Sequence, residues 1–352
     1  MGNCTCLREL PKDERLESLE MEHHPPYSDR PSTTDTVFPS RSLDLLQIIR
    51  IQAVLRGYSQ RRLARSLPYV HSQLRSEGTT QTFTGSVSDY ATPATRAAEQ
   101  RHGPFDFSRP SREVALERRG PVRLDNGAIY TGEWHLGQRQ GRGTQVWPDG
   151  AKYEGYWSED QCSGFGRLIH ADGDVYVGEW SEDMMSGQGT YYHSDGAKYV
   201  GAWRQDKQHG FGVETWPDGA RYQGHYEASK KHGSGEFRWA DGNTFSGDFK
   251  DNNINGHGVY LWVDGRKYEG SWCDNKMHGK GEFTWADGRI YRGQYVQDKK
   301  EGYGEFLWPD GRQYRGLWVD GKQHGVGLFI AANNSQRRGE WKEGRRLNWL
   351  AD

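Results

Sequence analysis

The chain is short of cysteine, of long apolar runs and of excess charge of either sign. Four cysteines occur in 352 residues. Cys162 and Cys273 occupy different phases of the periodicity described below, and Cys4 and Cys6 sit close to Met1, so no disulfide framework is implied. No stretch approaches the roughly 18 successive apolar residues that cross a membrane as a helix, and no secretory-leader pattern follows Met1. A cytoplasmic, reduced chain is the expectation. The 46 Lys and Arg residues against 48 Asp and Glu leave a net charge of -2, with no strongly basic segment. That argues against nucleic acid as a partner. Hydrophobic residues make up only 34%, too few for one large closed core.

Glycine and aromatic side chains, by contrast, are abundant, and both follow one spacing of 23 residues. Tyr130, Tyr153, Tyr176, Tyr199, Tyr222, Phe245, Tyr268, Tyr291 and Tyr314 share a register. Two residues after each comes a glycine, from Gly132 to Gly316, and two further on a second aromatic, from Trp134 to Trp318. Units this regular bury apolar surface only against their neighbours. One unit runs Tyr199-Val-Gly201-Ala-Trp203, a polar stretch, Gly210-Phe-Gly212-Val-Glu-Thr-Trp216, then Pro217-Asp218-Gly219. Two short segments of period-2 alternation joined by turn residues predict a hairpin. Asp-Gly recurs at the unit boundaries, from Asp149-Gly150 to Asp310-Gly311, and suits the positive φ of a tight turn. Glycine at fixed strand columns predicts neighbouring rings lying flat on bare backbone. A lone unit could not offset the entropy of ordering it, so stacking has to hold the array together. The register reaches back to Gly120 and Gly127, predicting a half-unit near 118–129, and forward to Gly339 and Trp341, with Arg337 as a polar cap.

Tyr-x-Gly-x-Trp, a short spacer, Gly-x-Gly and a following Asp-Gly resemble the MORN repeat, in nine full copies and a partial tenth over about 130–344. The resemblance implies an all-β fold, an elongated twisted antiparallel sheet of tandem hairpins. It further implies a groove for protein contacts, self-association as a homodimer and, in some such proteins, phosphoinositide binding. The array is read over 118–344, with a C-terminal cap at 345–352.

Residue types that could suggest chemistry fail on geometry. His209, His232, His278 and His324 share one column, but equivalent atoms one unit apart stand about 9–10 Å from each other in a sheet. Ligands of one zinc lie only about 3–4 Å apart, so the column is a solvated polar stripe and no metal is expected. No phosphate-cradling loop, nucleophile elbow or zinc-ligand cluster is present. A protein without catalytic residues and without a cofactor is expected.

Before the array, residues 1–41 and 68–117 are rich in Pro, Ser, Thr and charge and read as a disordered N-terminus and a flexible linker. Between them, 42–67 carries a helical pattern. Within it Ile51, Gln52, Leu55, Arg56, Gly57, Tyr58 and Arg61 resemble an IQ motif, the segment that binds calmodulin or a related EF-hand light chain. Ile51, Leu55 and Tyr58 offer an apolar stripe to a lobe's groove, and the arginines face its acidic rim. Two other fates suit the same amphipathic helix: lying in the array's own groove, or resting on anionic lipid. Met1-Gly2-Asn3-Cys4-Thr5-Cys6 resembles an N-myristoylation site at Gly2 with palmitoylation cysteines at Cys4 and Cys6. One myristoyl chain binds membrane only marginally and a second chain anchors it, which favours the pair. The functional expectation is a non-enzymatic scaffold, tethered by acylation, that presents a rigid surface to partners. A cytoskeletal or ciliary spacer and a phosphoinositide-binding module are the alternatives.

Overall fold

In each unit of the array a seven-residue strand and a nine-residue strand pair through a two-residue turn, as in Lys198–Arg204, Gln205–Asp206 and Lys207–Thr215. The computed structural model describes residues 81–85, 90–108 and 116–351. Within them 22 antiparallel strands, each bonded to its sequence neighbours, form one open sheet. The predicted all-β architecture of tandem hairpins is the one observed. The predicted half-unit is strand Glu117–Arg123, and the final strand, Arg345–Trp349, closes the end of the sheet.

The Asp-Gly turns behave as their residues dictate. Gly219 N donates to Trp216 O at 3.0 Å, Ala220 N donates to Asp218 Oδ1 at 2.9 Å, and Gly219 takes φ 89. The opposite turns were less legible. There the positive φ falls on side-chain-bearing residues, Gln205 at 50 and Asp206 at 62, the geometry that matches strand twist in a two-residue hairpin. The second residue of that turn also ties each unit to the one before. Asp206 N donates to Met185 O at 3.1 Å, and Met185 N donates to Asp206 Oδ1 at 2.7 Å. Asp183 grips Cys162, Asn252 grips Lys231 and Asn275 grips Ile254 in the same way.

A row of paired glycines crosses the sheet without interruption: Gly201 pairs Gly212, Gly212 pairs Gly224, and Gly224 pairs Gly235. The Tyr199 ring occupies the space a Cβ would need, its hydroxyl oxygen 2.6 Å from the position for Gly201 and 2.5 Å from that for Gly212. That hydroxyl donates to Ala202 O at 2.9 Å, so burying it leaves no donor unpaired. Tyr199 meets Trp203 edge-on at 5.2 Å within its unit and Tyr226 of the next unit at 5.2 Å. The same alternation runs from Tyr130 to Trp341 and forms the core, all on one face. Trp indoles add a cross-unit bond, as from Trp180 Nε1 to Gly166 O at 3.3 Å.

The expectation of a flexible linker over 68–117 differs from what its described part shows. Gln81–Thr82 adds a short strand to Glu117–Arg123, and α1 (Pro93–His102) docks on the face opposite the rings. Thr92 caps α1 and Pro93 starts it, while Arg101 and His102 fill its last turn before Gly103. Those end signals are in the sequence. The helix was missed because it buries little beyond Thr95 and Ala98, far less than an apolar stripe.

Candidate interaction surfaces

The ring-bearing face is largely closed on itself. A second line of rings runs along it through Phe237, Trp239, Tyr260, Trp262 and Phe283, with centroids 4.4 to 5.3 Å apart, and continues to Trp349. His170 and His193 replace tryptophan in this line. There the buried Asp174 accepts from Tyr191 at 3.2 Å and from Ser194 N at 2.7 Å, and its Oδ2 lies 3.1 Å from His193 Nδ1. Burial alone would raise the Asp174 pKa, but the bonds from His193 and Ser194 outweigh it and bring it to about 2. Three cations are enclosed by rings: the buried Arg139, 4.4 Å from the Trp157 centroid and paired with Asp160 at 3.0 Å, and two lysines. Lys300 Nζ lies 4.6 to 5.5 Å from the centroids of Trp285, Tyr291, Phe306 and Trp318. Lys231 is buried against Trp216 and Tyr222, at 5.1 Å from each, and pairs with Glu214 at 2.9 Å. Their positive charge sits on the negative faces of the π systems, so these lysines complete the core.

The opposite face is where the array meets other chain segments. Over the first three units it is covered by residues 90–107. Ala98 packs with Ile169 and Val175, and Lys152 Nζ bonds Glu99 at 2.7 Å and Glu154 at 2.9 Å. Burial disfavours the Lys152 charge, yet the two carboxylates together raise its pKa. Arg167, held by Glu154, donates to Gly103 O at 2.7 Å, and Tyr156 donates to Phe107 O at 3.0 Å. Phe105 stacks on Phe165 at 6.0 Å and Phe107 meets Tyr156 edge-on at 6.2 Å. In the later units the same face is uncovered among the described residues. Phe211 occupies the position of Phe165 and is 56% exposed. Tyr303, in the same position, is also 56% exposed, and it pairs across strands with the exposed Leu317. Val326 lies beside them.

His209, His232, His278 and His324 fall where the two strands of a unit lose register, each just before a glycine of positive φ. Among the described residues no group of three or more His, Cys, Asp or Glu side chains could hold a metal ion. Gly2, Cys4 and Cys6, and Ile51, Gln52, Leu55, Arg56, Gly57, Tyr58 and Arg61, all lie outside the described residues. The arm's docking residues were not read from the sequence; Phe105 and Phe107, spaced to face one way, were the signal available.

The family model for the MORN repeat matches nine segments in succession: 130–152, 153–175, 176–198, 199–221, 222–244, 245–265, 268–288, 291–311 and 314–336. No curated protein matches the chain. Among solved structures, the TCP10 domain of Danio rerio CPAP is 11% identical, covering 59% of this chain and 98% of its own at a TM-score of 0.33. The TCP10c domain of Drosophila melanogaster Sas-4 is 10% identical, covering 64% and 100% at a TM-score of 0.18. Virginiamycin B lyase from Staphylococcus aureus is 10% identical, covering 66% and 87% at a TM-score of 0.15. Likenesses this slight say nothing about what the chain does.

Proposed function

The chain belongs to the MORN-repeat family, and on that premise we propose that it is a scaffold that presents its sheet to protein partners. A repeat sheet of this kind is typical of non-enzymatic proteins, and no enzymatic family is indicated. The observation that carries the reading is the uncovered face of the later units. Phe211, Tyr303, Leu317 and Val326 stand exposed on the surface that, in the first three units, is seen gripping an aromatic segment. Exposed apolar side chains beside a demonstrated contact face are what a partner would desolvate. The test is capture of bound proteins from cell lysate by the wild-type chain and by a variant combining Tyr303→Ser, Leu317→Ser and Val326→Ser. The same proteins held equally by both, with the variant folded, would remove this surface from the reading.

The N-terminal segment supplies recruitment and placement in this proposal. The helix over 42–67 binds calmodulin or a related EF-hand protein through Ile51, Gln52, Leu55, Arg56, Gly57, Tyr58 and Arg61, and acyl groups on Gly2, Cys4 and Cys6 hold the protein at a membrane. What supports both is the motif resemblance together with the mechanisms of groove binding and two-chain anchoring. A peptide of residues 42–67 should bind calmodulin and lose binding with Ile51→Glu. Gly2→Ala should move the protein from membrane to soluble fractions, and an unchanged distribution would count for a cytoskeletal placement instead.

A further inference from the structure

We infer that Thr92 is a phosphorylation site at which modification lifts the arm, residues 90–107, off the sheet. Thr92 is the joint between the two. Its Oγ1 donates to Ala171 O at 3.2 Å, accepts from Thr95 N at 3.1 Å and lies 3.3 Å from Thr95 Oγ1, so the hydroxyl's proton and a lone pair are both engaged. Its methyl group and the neighbouring Ala94 seat on two successive Asp-Gly turns. A Cβ on Gly150 would stand 2.6 Å from Thr92 Cγ2, and one on Gly173 would stand 3.4 Å from Ala94 Cβ. Glycine at 150 is therefore what admits the Thr92 methyl, while the Ala94 contact at Gly173 is ordinary van der Waals packing.

Thr92 is followed at once by the exposed Pro93, the hydroxyl-proline pair that proline-directed protein kinases take as substrate. In the transfer, the γ-phosphorus of ATP forms a bond to Thr92 Oγ1 and loses its bond to the bridging oxygen. ADP leaves, and the hydroxyl proton passes to the kinase's base. The product has acceptor oxygens and negative charge but no proton to donate. It faces the Ala171 carbonyl oxygen, to which Thr92 Oγ1 had donated, and it adds bulk and charge beside a methyl already seated tightly on Gly150. A phosphate at a helix start favours the helix itself. The loss accordingly falls on docking, which leaves α1 a short helix without tertiary support and open to cleavage and exchange.

The experiment uses the full chain, a purified proline-directed kinase and Mg-ATP. Phosphate is mapped by mass spectrometry, and docking is read by tryptic cleavage after Arg96 and Arg101 and by hydrogen exchange over 93–103. Modification at Thr92 should speed cleavage and exchange there by about tenfold or more, with the array unchanged. Because coupling is reciprocal, Phe105→Ala with Phe107→Ala, which loosens the arm without touching Thr92, should speed the modification. Complete phosphorylation at Thr92 with unchanged cleavage and exchange would overturn the inference. So would no phosphate on Thr92 in the loosened variant under conditions that fully modify a peptide of residues 86–98.

Discussion

The Tyr222 ring lies flat on Gly235: a Cβ on that glycine would stand 2.4 Å from the tyrosine hydroxyl oxygen. Gly235 has no positive φ, so sterics and not backbone freedom select it. Gly219 presents the opposite case, with φ 89 and nothing within 4 Å of a built Cβ. Gly235→Ala should therefore cost roughly 2–3 kcal/mol through forced displacement of the ring. Gly219→Ala should cost about 1 kcal/mol, from conformation alone. Urea unfolding of the two variants checks the order; equal midpoints would mean that the ring yields freely.

The Glu214–Lys231 pair is buried among rings, and Tyr226 also donates to Glu214 at 2.9 Å. Lys231→Met alone leaves a buried carboxylate without its cation and should cost about 3–5 kcal/mol. The equivalent positions one repeat pair earlier hold Leu168 and Met185, both buried in the same core. Combining Lys231→Met with Glu214→Leu copies those two residues but leaves the Tyr226 hydroxyl without its acceptor, at the position where the earlier unit has Trp180. The double variant should recover most of the loss and fall short of wild type by about 1–3 kcal/mol for that hydroxyl. A double variant as unstable as the single one would show that the pair does more than fill its site.

Asp298 holds the turn position that Asn252 and Asn275 hold elsewhere, accepting from Met277 N at 2.7 Å. Burial raises its carboxyl pKa from 3.8 to about 6, although the Met277 N–H and the Lys276 charge pull it down. The folded state thus binds the proton more tightly than the unfolded chain. The stability linked to it is complete below the unfolded value of 3.8 and is lost as pH rises through about 6. Asp298→Asn keeps the acceptor and removes the titration. Melting temperatures measured across that window should decline with pH less in the variant, and the variant should be the more stable near neutrality. Parallel curves would place the titration elsewhere.

Excising residues 268–290 joins Lys267 to Tyr291 in register, so every column keeps a neighbour of the same kind. A folded array with a smaller urea m-value is expected, since less surface is exposed on unfolding. Excising 268–278 removes one strand of a hairpin, so every later unit runs end for end against the columns before it, and it should abolish the cooperative transition. Circular dichroism with urea distinguishes the two, and equal behaviour would contradict a sheet built of exchangeable units.

The repeat made much of the fold legible. Tyr199, Gly201 and Trp203 announced a strand face, and Asp218-Gly219 announced its turn, because local chemistry fixes both. The hold of Asp206 on Met185 was not legible, since a side chain reaching back one unit leaves no spacing signal beyond the repeat itself. The register slip before Gly212 was hidden for a similar reason: His209, Gly210 and Phe211 look like ordinary strand residues in one dimension. For the arm, the ends of α1 were written in Thr92, Pro93 and Gly103. Its destination was not.

By itself the sequence determined the unit, its length and the alternation of ring and glycine, because hairpin periodicity and turn chemistry are local properties repeated in register. Only the tertiary structure decided that the rings close on one face, that Lys231 and Lys300 complete that core, and that Phe105 reaches Phe165 on the other face. Those contacts join residues brought together by stacking, and sequence spacing carries no record of which face a distant segment will cover.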